Sequence, residues 1–470
     1  MLFPTVAFAL FFCVAFLTNW MLRPHVTAWR LAMVLLSLFF YGYWDPRFVP
    51  LLLASIAINH LAGQRIRNGG DRGRSWALAL GVAANLSILG FFKYYGFFVA
   101  SAGNGLARLG LDVQPRLLDI TLPIGISFFT FQAIGYLVDL RRGAFAKPMS
   151  LIDVAFFLSF FPQLVAGPIV RATEMAPQIA ARPDPRSIPA AEALWLIARG
   201  LIKKVVISSY LATNLVDPVF AVPGDHSRLE VLLAVYGYAV QIYADFSGYT
   251  DIAIGCALLL GFRFPANFDA PYRALSLQDF WRRWHISLSS WLRDYLYVPL
   301  GGNRRGRLLT VRNVTITMVL GGLWHGAAWT FVLWGAIHAA FLTAERLITA
   351  HWRPLGLPRP IVVGLRWALT FHVVCAAWVF FRADTVQGAF DIFRQLLEGA
   401  QPSPLLTATL VAVILVAIAA QFVPSDSSER LRDGFGRLNP VAQVALAATT
   451  LTVVDAFGPE GVAPFIYFQF

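Results

Sequence analysis

The sequence predicts an all-α protein that crosses a membrane many times, and three observations lead to this prediction. Hydrophobic residues make up 57% of the 470 residues and charged residues only 14%, well below the roughly 25% of soluble domains. Apolar runs of about 20 residues, the length that crosses a bilayer, recur along the whole chain. The basic residues lie in short loops between these runs, as in other membrane proteins. We therefore expect a single domain over 1–470 with roughly 11–13 membrane helices.

The apolar runs define candidate spans whose ends are set to within a few residues. They are 1–22, 28–44, 47–62, 76–98, 119–138, 151–170, 190–221, 229–261, 312–323, 325–346, 361–382, 405–423 and 439–455. Several are short or interrupted by glycine, so we expect some broken or re-entrant helices, which persist only when buried in protein or lining a cavity. The first run has no charge before Arg23 and lacks the basic start of a signal peptide, so it is expected to remain as a membrane helix.

The chain is expected to divide into four segments. These are N-terminal helices at 1–222, a catalytic core at 229–350, C-terminal helices at 361–456 and an aromatic tail at 457–470. Basic loops occur at 65–74, 141–147, 304–312, 353–366 and 430–437. Placing these loops in the cytoplasm predicts that both termini are extracytoplasmic. The net charge of +12 is spread over the loops rather than gathered in one patch, so we expect no nucleic-acid partner.

Residues 321–338 carry no formal charge and contain two histidines, His325 and His338. An ionisable group inside a membrane segment is a functional-site hypothesis by default. A neutral imidazole can take a proton from a hydroxyl group, so His325 is a candidate general base. Trp324 precedes it, and Trp329 at i+4 is expected on the same helical face. The alternative is that His325 makes only one interhelical hydrogen bond.

His338 follows His325 by 13 residues. On one continuous helix the two would lie about 20 Å apart, so we expect no shared metal. No HExxH spacing occurs, and Cys13, Cys256 and Cys375 lie far apart in apolar context, which favours packing roles. His338 either acts at another point of a pathway or bonds a neighbouring helix.

Residues 279–297 carry an aromatic stripe with helical spacing. Its members, at steps of three and four, are Trp281, Trp284, Leu288, Trp291 and Tyr295. Such a Trp-rich helix with basic residues is typical of the membrane interface. A second hypothesis is that its basic side chains attract an anionic donor such as a phosphate-bearing thioester. Those side chains are Arg282, Arg283, His285 and Arg293.

Asp245 lies within an apolar span. A buried carboxylate is costly unless it is paired or hydrogen-bonded. Ser247, Tyr249 and Thr250 offer nearby donors, so a structural network and a role in substrate binding both remain open.

The last seven residues, 464–470, contain four aromatic residues. Chain ends are usually polar and mobile, so such a tail needs a place to bury itself. It is either an aromatic anchor in the membrane interface or a segment that enters a cavity and delivers the Tyr467 hydroxyl there.

Taken together, the motifs resemble the membrane-bound O-acyltransferase family. The similarity is to its bacterial branch that contains the alginate O-acetyltransferase membrane subunit and the teichoic-acid D-alanyl transfer subunit. The motifs are MLFPTVAFALFF at 1–12, KYYGFF at 93–98, LPIGISFFTFQAIGYLVD at 122–139, FFPQLVAGPIVR at 160–171, YADFSGYTDIAIG at 243–255, FWRRWHISLSSWLRDYLYVPLGG at 280–302, WHG at 324–326 and FIYFQF at 465–470. The resemblance extends over nearly the whole chain.

The resemblance implies a ring of helices around a tunnel through the bacterial inner membrane. His325 matches the invariant histidine of the family, His338 matches its second histidine, and His285 is implicated near the tunnel. Tyr467 becomes a candidate acyl relay. The implied donor is acetyl-CoA or another cytoplasmic acyl thioester, with no bound cofactor. The implied partners are an extracytoplasmic acyltransferase and an exported or cell-surface polysaccharide.

Three other functions remain open at this stage. The acceptor could be a lipid, a protein or a teichoic-acid-type polymer. The chain could also be a non-catalytic membrane subunit of a polysaccharide-secretion complex. A transporter is the third alternative, although such proteins usually contain inverted repeats and none is visible in this sequence.

Overall fold

The backbone is helical, as the sequence predicts. The computed structural model describes residues 1, 3–111, 117–145, 147–165, 167–181, 183–351, 356–457 and 466, and these residues form no β-strand. The helices group into two compact units, residues 1–189 with 256–264, and residues 190–255 with 265–470. The all-α prediction is therefore confirmed for the described part of the chain.

The first unit is built from nine described α-helices. They are α1 (Val6–Leu22), α2 (Val26–Gly42), α3 (Val49–Asn68), α4 (Asp71–Leu89), α5 (Tyr95–Arg108), α6 (Ile126–Arg141), α7 (Leu151–Ser159), α8 (Phe161–Leu164) and α9 (Ala172–Ala180). A π-helical segment, Gly90–Tyr94, joins α4 to α5. The predicted span 151–170 is divided into α7 and α8 at Phe160, directly before Pro162, whose ring does not fit the interior of a continuous helix.

Aromatic packing and paired amides hold the first unit together. Phe161 on α8 contacts Phe11 on α1 and Phe40 on α2, with ring centroids 5.0 and 5.6 Å apart. Asn59 on α3 and Asn85 on α4 exchange two side-chain hydrogen bonds of 3.1 Å. Paired amides of this kind satisfy polar groups that hydrocarbon cannot.

The second unit contains the remaining α-helices of the described chain. They are α10 (Ala190–Leu201), α11 (Ser209–Leu211), α12 (Asp217–Ala221), α13 (Arg228–Leu259), α14 (Leu277–Arg283), α15 (Ile286–Leu292), α16 (Arg307–His325), α17 (Trp329–His351), α18 (Arg359–Arg382), α19 (Val386–Glu398), α20 (Ala408–Ala419), α21 (Ser425–Arg437) and α22 (Pro440–Phe457). The final residues of α13, Cys256–Leu259, belong to the first unit. The predicted span 190–221 is instead a series of short α-helices and π-helical segments.

Four of the described helices are long and apolar enough to cross a membrane. They are Asp71–Arg108, Arg228–Leu259, Trp329–Ile348 and Arg359–Arg382. Shorter apolar helices are Val6–Leu22, Val26–Gly42, Ala408–Phe422 and Val441–Thr452. Seven of the eight coincide with predicted spans to within about five residues, and Asp71–Arg108 contains the predicted span 76–98 but extends 10 residues beyond its end. This agreement supports a polytopic membrane protein.

The helices α16 and α17 form an antiparallel hairpin with direct backbone contact. A Cβ atom at Gly322 would lie 2.2 Å from the carbonyl oxygen of Phe331, and one at Gly335 would lie 2.4 Å from that of Met318. Both positions therefore require glycine, because any side chain would force the helices apart. The hairpin fixes the register between the two histidine-bearing helices.

We predict that Gly335→Ala destabilises the protein by about 1–3 kcal/mol, because the added methyl group overpacks the hairpin. Thermal unfolding of the detergent-solubilised protein measures this effect. Gly364→Ala is the matched control, since Gly364 lies in α18 and an added Cβ would meet nothing within 4 Å. An equal or higher Tm for the Gly335 variant than for the control would contradict the close packing of α16 on α17.

Candidate active site

The turn between α16 and α17 places His325 at the end of its helix. The backbone leaves the helical conformation at Gly326, with φ −154° and ψ 149°. A Cβ atom at Gly326 would lie 2.0 Å from the ring of Phe331, so only glycine fits there. His325 is 4% exposed, and α17 begins three residues after Gly326, at Trp329.

The prediction that Trp329 shares a helical face with His325 is wrong. The helix ends at His325, so the i+4 relation does not apply. Trp329 is 57% exposed, whereas His325 is buried. Trp324 is buried and packs against the His325 ring at 4.9 Å, as adjacent aromatic rings in a dry site can do.

His325 and His338 contact the same tryptophan ring, so the separation of about 20 Å expected for one continuous helix is also wrong. The Trp334 ring is 5.1 Å from His325 and 4.8 Å from His338, in edge-to-face contacts. The chain reverses at the hairpin turn, which brings the two histidines together. Phe381 on α18 adds a further edge-to-face contact to His325, at 5.1 Å.

His338 is fully buried among aromatic rings. Trp281 contacts it edge to face at 5.1 Å, and Phe280 stacks on it at 6.2 Å. Neither ring nitrogen has a hydrogen-bond partner among the described residues. The described residues therefore do not support the alternative that His338 makes an interhelical hydrogen bond.

His285 interrupts the helix that the aromatic stripe predicts. The α14 helix ends at Arg283 and α15 begins at Ile286, and His285 between them is left-handed, with φ 42° and ψ 57°. The segment that contains Asn267 causes this break. Its backbone accepts a hydrogen bond from the Ile286 N–H at 2.9 Å, and the Asp269 N–H donates to Arg283 at 2.9 Å.

The His285 side chain is buried, and Asn267 is its polar partner. Asn267 Oδ1 lies 3.1 Å from His285 Nδ1 and also accepts hydrogen bonds from the backbone and hydroxyl of Ser287. His285 packs edge to face on Phe246 at 4.6 Å and lies 5.9 Å from the Trp324 ring. Burial lowers the pKa of His285 to about 3, so its imidazole is neutral near pH 7.

Sequence reasoning missed Asn267. It stands 18 residues before His285 in an irregular segment, and no periodicity or motif spacing connects the two. Their contact depends on the return of the chain after α13, which only the folded structure reveals.

The basic residues near His285 do not join it in one cluster. Arg283 bonds Asp279 at 3.0 Å and Asp269 at 2.9 Å, while Arg282 is exposed. Arg293 pairs with its neighbour Asp294 and is largely exposed. The described contacts of His285 are instead with uncharged groups, so the structure separates the imidazole from the predicted anion-attracting arginines.

Asp245 is buried and paired, but its partners come from elsewhere in the chain. Lys204, in the π-helical segment Ile202–Ser208, forms an ion pair with it, and Ser208 Oγ lies 3.5 Å away. Lys203, in the same π-helical segment, forms an ion pair with Asp251, which lies six residues after Asp245 on α13. A π-helix presents consecutive residues differently from an α-helix, which lets both lysines reach α13.

Ile466, within the predicted aromatic tail, contacts the same carboxylate. Ile466 is 3% exposed, and its backbone N–H donates a hydrogen bond of 2.9 Å to Asp245 Oδ2. The preceding helix, α22, packs against α10 and the π-helical segment that carries Lys204. Tyr467 lies outside the described residues.

The arrangement suits proton transfer between buried groups. Within the described part of the chain, no three His, Cys, Asp or Glu side chains converge as metal ligands do. Buried imidazoles surrounded by aromatic rings can serve as bases or hydrogen-bond acceptors.

Comparison with known proteins gives a consistent result. Residues 140–382 match the model of the membrane-bound O-acyltransferase family, and this segment contains His285, His325 and His338. The chain is 40% identical to the probable alginate O-acetylase AlgI of Azotobacter vinelandii over 433 residues, which cover 89% of this chain and 84% of that protein.

The names of two further relatives refer to other polymers, peptidoglycan and teichoic acid. The peptidoglycan O-acetyltransferase of Helicobacter pylori is 38% identical over 398 residues, or 78% of this chain and 73% of that protein. The teichoic acid D-alanyltransferase of Bacillus subtilis is 29% identical over 277 residues, or 55% and 68%. With the helical membrane fold and the family match, these similarities establish that the chain belongs to the membrane-bound O-acyltransferase family and is a multi-pass membrane enzyme.

Proposed function

We propose that the enzyme O-acetylates an exported or cell-surface polysaccharide, with His325 as the general base. The names of the relatives support a polysaccharide acceptor, since proteins 38–41% identical to this chain are named probable alginate O-acetylase and peptidoglycan O-acetyltransferase. The observation that carries the proposal is the placement of His325, a buried imidazole at the end of α16 inside the family match.

The donor that we propose is acetyl-CoA, presented from the cytoplasm. His325 removes the proton of a hydroxyl group as its oxygen bonds to the acetyl carbon. The carbon–sulfur bond then breaks, and the departing thiolate takes the proton from the imidazolium. The rings of Trp324, Trp334 and Phe381 surround His325 and keep water from competing with the hydroxyl. His338, which also contacts Trp334, is proposed to assist this proton transfer.

We further propose that Tyr467 supplies the first hydroxyl group and acts as an acyl relay. The burial of its neighbour Ile466 against Asp245 supports this proposal, because it ties the tail to the interior of the second unit. In a second transfer, a polysaccharide hydroxyl, or a group on a partner acyltransferase, attacks the tyrosyl ester. As the new bond to the acetyl carbon forms, the bond to the tyrosyl oxygen breaks, and the phenolate that leaves takes the proton that the attacking group has lost.

The proposed location is the bacterial inner membrane, with the basic loops in the cytoplasm and both termini outside. This orientation supports an acyl route from a cytoplasmic thioester to an extracytoplasmic acceptor. A teichoic-acid-type, lipid or protein acceptor is the alternative. The lower identity to the teichoic acid D-alanyltransferases, 29%, favours the acetylation of a polysaccharide.

We predict that His325→Ala lowers acetyl transfer at least about 100-fold, because general base catalysis contributes roughly 10²–10⁴-fold. Transfer of label from acetyl-CoA to polymer in isolated membranes measures the loss. His372→Ala is the matched control, since His372 is an exposed histidine on α18 bonded to Tyr236. Transfer by a folded His325→Ala protein at more than half the rate of the control would refute the base assignment.

Tyr467→Phe is expected to abolish both polymer acetylation and an acetyl adduct on the purified protein, because the ring is kept and only the nucleophilic oxygen is lost. Intact-mass analysis after incubation with labelled acetyl-CoA detects the adduct, and peptide mapping should place it in the C-terminal peptide. Tyr43→Phe, at a 56% exposed tyrosine, controls for the substitution itself. Continued polymer acetylation by Tyr467→Phe would reduce the tail to an anchor.

A further inference from the structure

We propose that Asn267 is a positioning residue that holds His285 in one tautomer, with a bare Nε2 that accepts a hydrogen bond from a hydroxyl group in the active site. This inference deepens the proposed function and rests on it for the nature of the bound group. It gives a role to a residue that lies in no motif, and it explains why a buried histidine adopts an unfavourable backbone conformation.

The identity of the Asn267 oxygen follows from its contacts. The backbone N–H of Ser287 can only donate, and it points to this side-chain atom at 3.1 Å, which must therefore be the oxygen. The Ser287 hydroxyl donates to the same atom at 2.8 Å. An amide oxygen only accepts, so the His285 Nδ1 that lies 3.1 Å from it must carry the proton.

A neutral imidazole has one N–H, so protonation of Nδ1 leaves Nε2 with an available lone pair. Nε2 is buried and has no hydrogen-bond partner in the described protein, and the same is true of Asn267 Nδ2. A buried acceptor left unsatisfied costs about 1–3 kcal/mol. A hydroxyl group that binds beside the Trp324 ring would remove that cost.

The backbone of His285 is strained at the same point. Left-handed φ and ψ values cost a non-glycine residue about 1–3 kcal/mol and persist where surrounding contacts impose them. Here the contacts are those between Asn267 and residues 286 and 287. One asparagine thus determines both the direction of the imidazole and its tautomer.

The surroundings of His285 keep the imidazole neutral. Phe246 on α13 covers one side, and Trp324, which is followed by the titratable His325, lies on α16. Asp245, next to Phe246, is already paired with Lys204. Among the described groups, only burial contributes to the lowered pKa of His285, and no charged side chain does.

The direct test is the tautomer itself, measured by ¹⁵N NMR on histidine-labelled protein in nanodiscs. The chain has 8 histidines, and the His285 signals are identified by their loss in His285→Asn, a residue that tolerates the left-handed backbone. We expect the Nδ1-protonated form in the wild type and its loss in Asn267→Leu. The wild-type tautomer in a folded Asn267→Leu protein would overturn the proposal.

Kinetics provide a second readout that a merely structural role would not change. Asn267→Leu is expected to lower kcat at least about 10-fold, because Nε2 no longer accepts the hydrogen bond of the reacting hydroxyl group and proton handling is disturbed. Asn267→Asp keeps the accepting oxygen and adds a negative charge, which raises the pKa of the imidazole. Activity that needs the neutral form is lost as pH falls through that pKa, so the acid limb of the rate profile should move to higher pH.

Ser287→Ala is the matched control, because it removes one hydrogen bond to the same oxygen without contacting the imidazole. It should retain the wild-type tautomer and pH profile. His325→Ala, assayed in parallel, separates the two claims. Full transfer by that variant refutes the proposed base, whereas a wild-type kcat and pH profile in the Asn267 variants refutes only the role of Asn267.

Discussion

The direct backbone contact between α16 and α17 is the interaction on which the candidate active site depends. Gly322 and Gly335 allow the two helices to touch without intervening side chains. That contact fixes the register in which both His325 and His338 contact Trp334. Without it, two histidines 13 residues apart would lie at different depths of the membrane.

Two buried carboxylates of the second unit are paired with cations from another segment. Asp245 and Asp251 on α13 take their cationic partners from the π-helical segment after α10. Removing one member of a buried ion pair typically costs about 3–5 kcal/mol, because the other charge is left without compensation. These pairs therefore hold α13 and the tail contact at Ile466 in one arrangement.

The sequence is informative where a property is local or compositional. Apolar runs identify the long helices, and the position of His325 in an uncharged run marks it as a candidate site residue. The same reasoning fails where long-range contacts interrupt a segment whose residue spacing favours a continuous helix. The aromatic stripe over 279–297 has perfect helical spacing, yet backbone contacts with Asn267 break the helix at His285. The sequence separation of His325 and His338 suggests too long a distance for a similar reason, since a turn at Gly326 replaces the continuous helix. Such long-range contacts leave no periodic signal in a single sequence.

The charge distribution along the α16–α17 hairpin has a consequence for how the protein is made. Residues 313–344 contain no Asp, Glu, Lys or Arg, whereas Arg307, Arg312, Glu345 and Arg346 all lie at the open end. The closed end can therefore pass through the bilayer first without moving a charge across it. The hairpin therefore has the charge distribution of a unit that can insert as a pair, with every formal charge of its helices at one end.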